Sequence, residues 1–86
     1  MFSKELFGQR LCELRIQHKE TQDELGEVIF TGRTAVSEIE RGKKTTTAEK
    51  INLICRHYRV SADYLLGLSD DPKGGTERWS EDGEAD

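Results

Sequence analysis

Arg33, Thr34, Ser37 and Glu38 stand at positions i, i+1, i+4 and i+5, so a helix would carry them on one face. Arg41 follows one turn later, and Lys43 and Lys44 extend it into a short basic clasp. These residue types suit recognition. Small and polar side chains on a helix can enter a major groove about 12 Å wide and meet the donor and acceptor edges of bases there. Arg33 could chelate guanine O6 and N7, worth about 1–3 kcal/mol of discrimination for a good bidentate pair. Glu38 could accept from cytosine N4, although a carboxylate also repels phosphate and can serve to exclude wrong sites. Arg41, Lys43 and Lys44 would supply attraction that is indifferent to sequence and sensitive to salt.

Other chemistries find less support. No nucleophile–base–orienter set, Gly-rich phosphate loop or paired carboxylates in a plausible cleft can be picked out, so the reading is not an enzyme. Cys12, His18, Cys55 and His57 match no tetrahedral metal spacing, and no metal or cofactor is expected. Cys55 falls on an apolar stripe and reads as a small packed hydrophobe. Two cysteines without disulfide density, no signal-peptide pattern and no membrane-length apolar run point to a cytoplasmic protein without a membrane segment.

The chain has 86 residues and a formal net charge of −4, an odd balance for a partner of nucleic acid. The acid is segregated. Residues 1–68 carry eleven Lys/Arg and ten Asp/Glu, a net of +1, whereas residues 69–86 carry two and seven, a net of −5. Local placement decides phosphate binding more than the total does.

Helical periodicity accounts for the body, and 86 residues allow one domain. Phe7, Leu11 and Leu14 predict a first helix over about residues 3–18. Thr21 and Glu24 form a capping-box pattern that opens a short second helix, with Leu25, Val28 and Ile29 inward. A third helix, over about residues 32–41, carries Val36 and Ile39 and stops at Gly42, a natural terminator. Thr46 and Glu49 offer a second capping box before a fourth helix whose stripe is Ala48, Ile51, Ile54, Cys55 and Tyr58. Ser61 can cap a fifth helix containing Tyr64, Leu65 and Leu66, ended by Gly67. The expectation is an all-α globule over 1–68, followed by a flexible acidic tail over 69–86 that contains Trp79.

Helices two and three, joined by a short turn over about residues 22–41, form a helix-turn-helix pattern. With "FGQRLCELR", "TQDEL", "TAVSEIERGKK" and "VSADYLLG" in order, roughly residues 6–67 resemble the phage-repressor/Cro-type helix-turn-helix domain, also called the XRE family. The resemblance implies a five-helix lambda-repressor-like DNA-binding fold. It implies base contacts from Arg33, Thr34, Ser37 and Glu38. Backbone contacts would come from Gln22, Thr31, Arg41, Lys43 and Lys44, with Gln22 also buttressing the recognition helix. It further implies a structural ion pair between Arg15 and Glu40.

One departure bears on the site. Phe30 stands where the family usually has glycine, and Gly32 where it usually has a small hydroxyl residue. A bulky residue at positive φ is costly, so a different turn is expected, with Thr31 or Gly32 capping helix three. Lys19-Glu20 replaces the common Gly-Leu, and Arg59 replaces Gly or Asn; neither threatens the fold. The functional expectation is a sequence-specific transcriptional regulator, a repressor bound to double-stranded DNA at a near-palindromic operator as a homodimer. Its dimer surface is expected in Tyr64, Leu65 and Leu68 or in the tail. The alternative is an antitoxin-like or anti-repressor module that meets a protein partner through the acidic tail.

Overall fold

A computed structural model describes residues 2–73. Five helices follow one another: α1 (Lys4–Gln17), α2 (Gln22–Val28), α3 (Arg33–Glu40), α4 (Ala48–Tyr58) and α5 (Ala62–Leu66). Local chemistry explains where they start. Ser3 accepts from the Leu6 amide at 3.0 Å and Ser61 from the Tyr64 amide at 3.1 Å. Thr21 and Glu24 form the full reciprocal capping box, satisfying two amides that a helix start leaves bare. For α4 the cap lies one residue beyond the expected Thr46. Thr47 takes the extended cap conformation and accepts from the Lys50 amide at 3.3 Å.

The helix ends share one device. Glu20, Thr31, Lys43, Val60 and Leu68 each donate a backbone N–H to the carbonyl five residues earlier, at 2.8–3.1 Å. This closure needs a left-handed residue just before the donor. Glycine fills that place at Gly42 and Gly67, but Lys19, Phe30 and Arg59 fill it at φ of 58–60°. The rearranged turn expected around Phe30 is therefore absent: Phe30 itself adopts the left-handed conformation. Gly32 does take the N-cap of α3, one of the two positions expected, in extended geometry and without a side-chain cap.

The core consists of Phe7, Leu11 and Leu14 from α1, Leu25 and Ile29 around α2, Val36 and Ile39 from α3, Ile54 and Tyr58 from α4, and Leu65 from α5. Val28, Ile51 and Cys55 pack half-buried against it, while Ala48 faces solvent instead of joining the α4 stripe. Leu65 is fully buried, so it cannot belong to the dimer surface expected around α5; Leu68, 74% exposed, remains available. Helix α1 meets α3 at Gly8, where a β-carbon would overlap the Ile39 and Glu40 carbonyl oxygens.

Folded packing also runs past the boundary expected at residue 68. Arg10 lies over the Tyr64 ring, 4.2 Å from its centroid, and donates to the Tyr64 carbonyl. The same guanidinium donates to the Ser69 carbonyl at 2.8 Å and to Asp70 at 2.7 Å. The Ser61 amide donates to the Pro72 carbonyl at 2.8 Å. Residues 69–72 are thus tied to the body, while residues 74–86 of the expected tail, Trp79 among them, lie outside the described residues.

Candidate nucleic-acid interface

Leu25 and Ile29, fully buried, pack with Val36 and Ile39 and lock α2 against α3. At their junction the Gly26 carbonyl accepts from the Thr31 amide at 2.8 Å. A β-carbon on Gly26 would fall 2.7 Å from the Thr31 carbonyl oxygen, which explains glycine there. With α3 held by this apolar face, Arg33 and Thr34 are exposed, whereas Ser37 and Glu38 are half-buried farther along. Arg41, Lys43 and Lys44 are exposed where α3 gives way to the next connection, and Thr31 is half-buried in the turn.

Acidic neighbours attend two of these groups. Arg33 Nε lies 3.9 Å from Asp23, with both side chains about two-thirds exposed, and Lys44 Nζ lies 3.0 Å from Glu38. Exposed pairs of this kind contribute about 0–1 kcal/mol and exchange readily. Neither carboxylate therefore holds its basic partner firmly. Glu38 is drawn toward the clasp rather than standing free.

Behind this face lies a polar hub. Arg15 Nε donates to Glu40 Oε2 at 2.7 Å and Nη2 to Oε1 at 3.1 Å, with 14% and 4% of the two side chains exposed. The hydrogen bond to Glu40 raises the Arg15 pKa further, so the charge is permanent. Gln22 Nε2 donates to Glu40 Oε1 at 3.0 Å, which commits part of its amide to holding α3. Arg15 Nη1 also donates to the Glu20 carbonyl at 2.8 Å. Arg15, Glu20, Thr21, Gln22, Asp23 and Arg33 line an open cleft of about 470 Å³ beside the start of α2.

The architecture and this arrangement agree with a family comparison. A family profile described as helix-turn-helix, HTH_3, matches residues 13–65. The chain belongs to the phage-repressor/Cro-type helix-turn-helix family. It is 38% identical over 73 residues to the uncharacterized HTH-type transcriptional regulator YobD of Bacillus subtilis, covering 85% of this chain and 65% of that protein. It is 35% identical over 60 residues to the HTH-type transcriptional activator BcrR of Enterococcus faecalis, covering 70% of this chain and 29% of that protein. The chain thus spans less than two thirds of the length of either relative. Among solved structures, the P22 c2 repressor in complex with a synthetic operator superposes with a TM-score of 0.70 at 28% identity. That match covers 74% of this chain and 97% of the repressor.

Several residues that position this helix-turn-helix unit left no mark in the sequence pattern. Lys50 on α4 donates to the Ile29 carbonyl at 2.7 Å and reaches the Phe30 carbonyl at 3.4 Å, satisfying the end of α2. Glu20 accepts from the Tyr58 hydroxyl at 2.6 Å, and its other oxygen lies 2.6 Å from His57 Nε2. Burial pushes the Glu20 carboxyl up, but the bonds from Tyr58 and His57 outweigh it and leave the pKa below the ordinary value. Burial, then the Glu20 contact, pushes the Tyr58 phenol up, so it stays a donor.

The depressed Glu20 value has a signed consequence. Its stabilisation is complete above the unfolded pKa and is lost as pH falls through the folded one. Wild-type stability should therefore decline with acidification below about pH 5, near and below the ordinary carboxylate range. Glu20→Gln should lose roughly 1–2 kcal/mol at neutral pH and show a shallower acid slope, read by urea unfolding across pH. Parallel slopes would show that Glu20 is not responsible.

Proposed function

We propose that this chain is a sequence-specific DNA-binding transcriptional regulator, a repressor that occupies a near-palindromic operator as a dimer. The observation that carries the reading is the exposed Arg33–Thr34 end of α3, followed by the exposed Arg41, Lys43 and Lys44 clasp and seated on a half-buried Arg15–Glu40–Gln22 hub. Arg33 and Thr34 would read bases first, with Ser37 and Glu38 one turn along. Gln22, Thr31, Arg41, Lys43 and Lys44 would contact phosphates and set the register. Membership of a family that includes an operator-bound repressor supports the assignment.

Repression asks only that the operator be occupied, and the c2 repressor supports that sign. BcrR, named as an activator, makes the opposite sign the outcome to look for in a reporter assay. A twofold dimer would place two α3 helices in successive major grooves about 34 Å apart. Leu68, exposed beyond the core, would supply the apolar surface for an isologous contact. Among the described residues no helix is long and apolar enough to cross a membrane, and three-dimensional clusters of metal-ligating groups are absent.

Selection of bound sequences from a random duplex pool, followed by salt titration, tests the proposal. A two-fold motif is expected; weak binding that is identical on all DNA would sink it. Arg33→Ala should cost about 1–3 kcal/mol on the selected site and relax the preference at one position. Lys44→Ala should weaken all duplexes alike and reduce the salt slope by about one. Equal effects of the two variants on specific and random DNA would remove Arg33 from the readout.

A further inference from the structure

Phe30 carries two costs at once. Its φ of 60° places an aromatic side chain in the left-handed region, and 78% of its surface faces solvent. The helix closure at this point demands the left-handed conformation, but glycine would meet that demand without strain. Lys19 and Arg59 hold the same conformation at the ends of α1 and α4, yet a long charged side chain is at home in water. An exposed phenyl ring gains nothing there. Neither the packing nor the backbone of the isolated fold accounts for phenylalanine at this place, and strain of this kind collects at functional sites.

Its surroundings indicate what the ring meets. Phe30 sits two residues before Gly32, the N-cap of α3, and three before Arg33, so it flanks the start of the proposed reading helix. Gly32 has no neighbour within 4 Å of the place a β-carbon would occupy, leaving open space beside the turn. Lys50 donates to the Ile29 carbonyl at 2.7 Å and reaches the Phe30 carbonyl at 3.4 Å, which ties the backbone next to the ring to α4. The apolar group that a major groove presents to such a side chain is the thymine C5-methyl.

We propose that Phe30 is a specificity-determining residue that makes an apolar contact with a thymine methyl at the edge of the major groove, beside the bases read by Arg33. The inference rests on the DNA-binding reading given above and adds a contact to it. In this arrangement the residue trades folding stability for readout. That trade separates it from a structural residue, whose removal would lower stability and affinity together.

The test uses the full chain and its selected operator. Phe30→Gly should raise the unfolding midpoint, because glycine relieves the backbone, and should weaken operator binding roughly fivefold to tenfold, the scale of a lost base contact. Phe30→Asn, which also tolerates the left-handed region, should weaken binding similarly; Phe30→Tyr should retain affinity within about twofold. Replacing operator thymines one at a time by deoxyuridine removes single methyl groups. Wild type should lose affinity at one or two positions where Phe30→Gly loses none, the coupling that marks a direct contact. Deoxyuridine profiles that coincide for wild type and Phe30→Gly would overturn the proposal. So would unchanged operator affinity in Phe30→Gly, the outcome expected if the ring serves a protein partner instead. Failure of the wild-type chain to bind any duplex at low salt would remove the underlying DNA reading and this contact with it, whereas normal wild-type binding with either negative result removes the contact alone.

Discussion

Glu40→Ala is expected to destabilise the protein by about 2–3 kcal/mol, at or a little below the range for removing one partner of a fully buried ion pair, because Arg15 keeps some contact with water. The variant would leave the Arg15 guanidinium charged and largely buried, with only the Glu20 carbonyl as a strong partner. It would also free the Gln22 amide that now donates to Glu40. The cost is therefore desolvation without compensation, not the net worth of the pair. Replacing both partners, as Arg15→Met with Glu40→Leu, should recover most of the stability, since apolar pairs of similar volume are often neutral or better in such places. The double variant should still bind the operator less well, because Gln22 and the end of α3 lose their common anchor. Urea unfolding of Arg15→Met, Glu40→Leu and the double variant measures the coupling. Additive losses would show that the hub is not acting as a unit.

Gly8→Ala should be as damaging, for a different reason. Helices α1 and α3 approach so closely at Gly8 that an added methyl would overlap the backbone oxygens of Ile39 and Glu40. Those atoms belong to a helix and cannot swing aside as a flexible side chain would. Either the two helices separate, opening the packing around Phe7, Leu11 and Ile39, or the end of α3 distorts. Overpacking of a tight core typically costs about 1–3 kcal/mol, and a backbone obstacle places this substitution at the upper end, near 3 kcal/mol. On helix propensity alone the change should stabilise by roughly 1 kcal/mol, so the sign of the measured effect is decisive. Thermal unfolding of Gly8→Ala gives it. A raised midpoint would mean that α1 and α3 can separate freely, and it would remove the close approach as a constraint on α3.

The two variants mark the division between what is legible along the chain and what is not. Helix number and order, the Thr21–Glu24 capping box, the terminators Gly42 and Gly67, and most of the core follow from neighbours within a turn or two. Such signals are local, and short-range chemistry carries them. Family resemblance also suggested the pairing of Arg15 with Glu40, which the structure places in direct contact. Gly8 was invisible because its reason lies in backbone atoms more than thirty residues away. The same holds for Lys50 at the end of α2 and for Glu20 beneath His57 and Tyr58.

Phe30 shows how the balance is struck. Intrinsic preference argues against positive φ for an aromatic residue, and that preference led to the expectation of an altered turn. The folded chain overrides it, since the Thr31 closure onto Gly26 and the burial of Leu25, Ile29 and Val36 outweigh about 1–2 kcal/mol of local strain. Residue spacing along the chain is enough to define the helices and which side chains of α3 share its exposed face, because caps and apolar periodicity act over a few residues. Packing alone settled the direction of that face and the support beneath it. The contacts responsible join residues eighteen to thirty-eight positions apart, from Gln22–Glu40 to Tyr58–Glu20, and they exist only once the helices have come together.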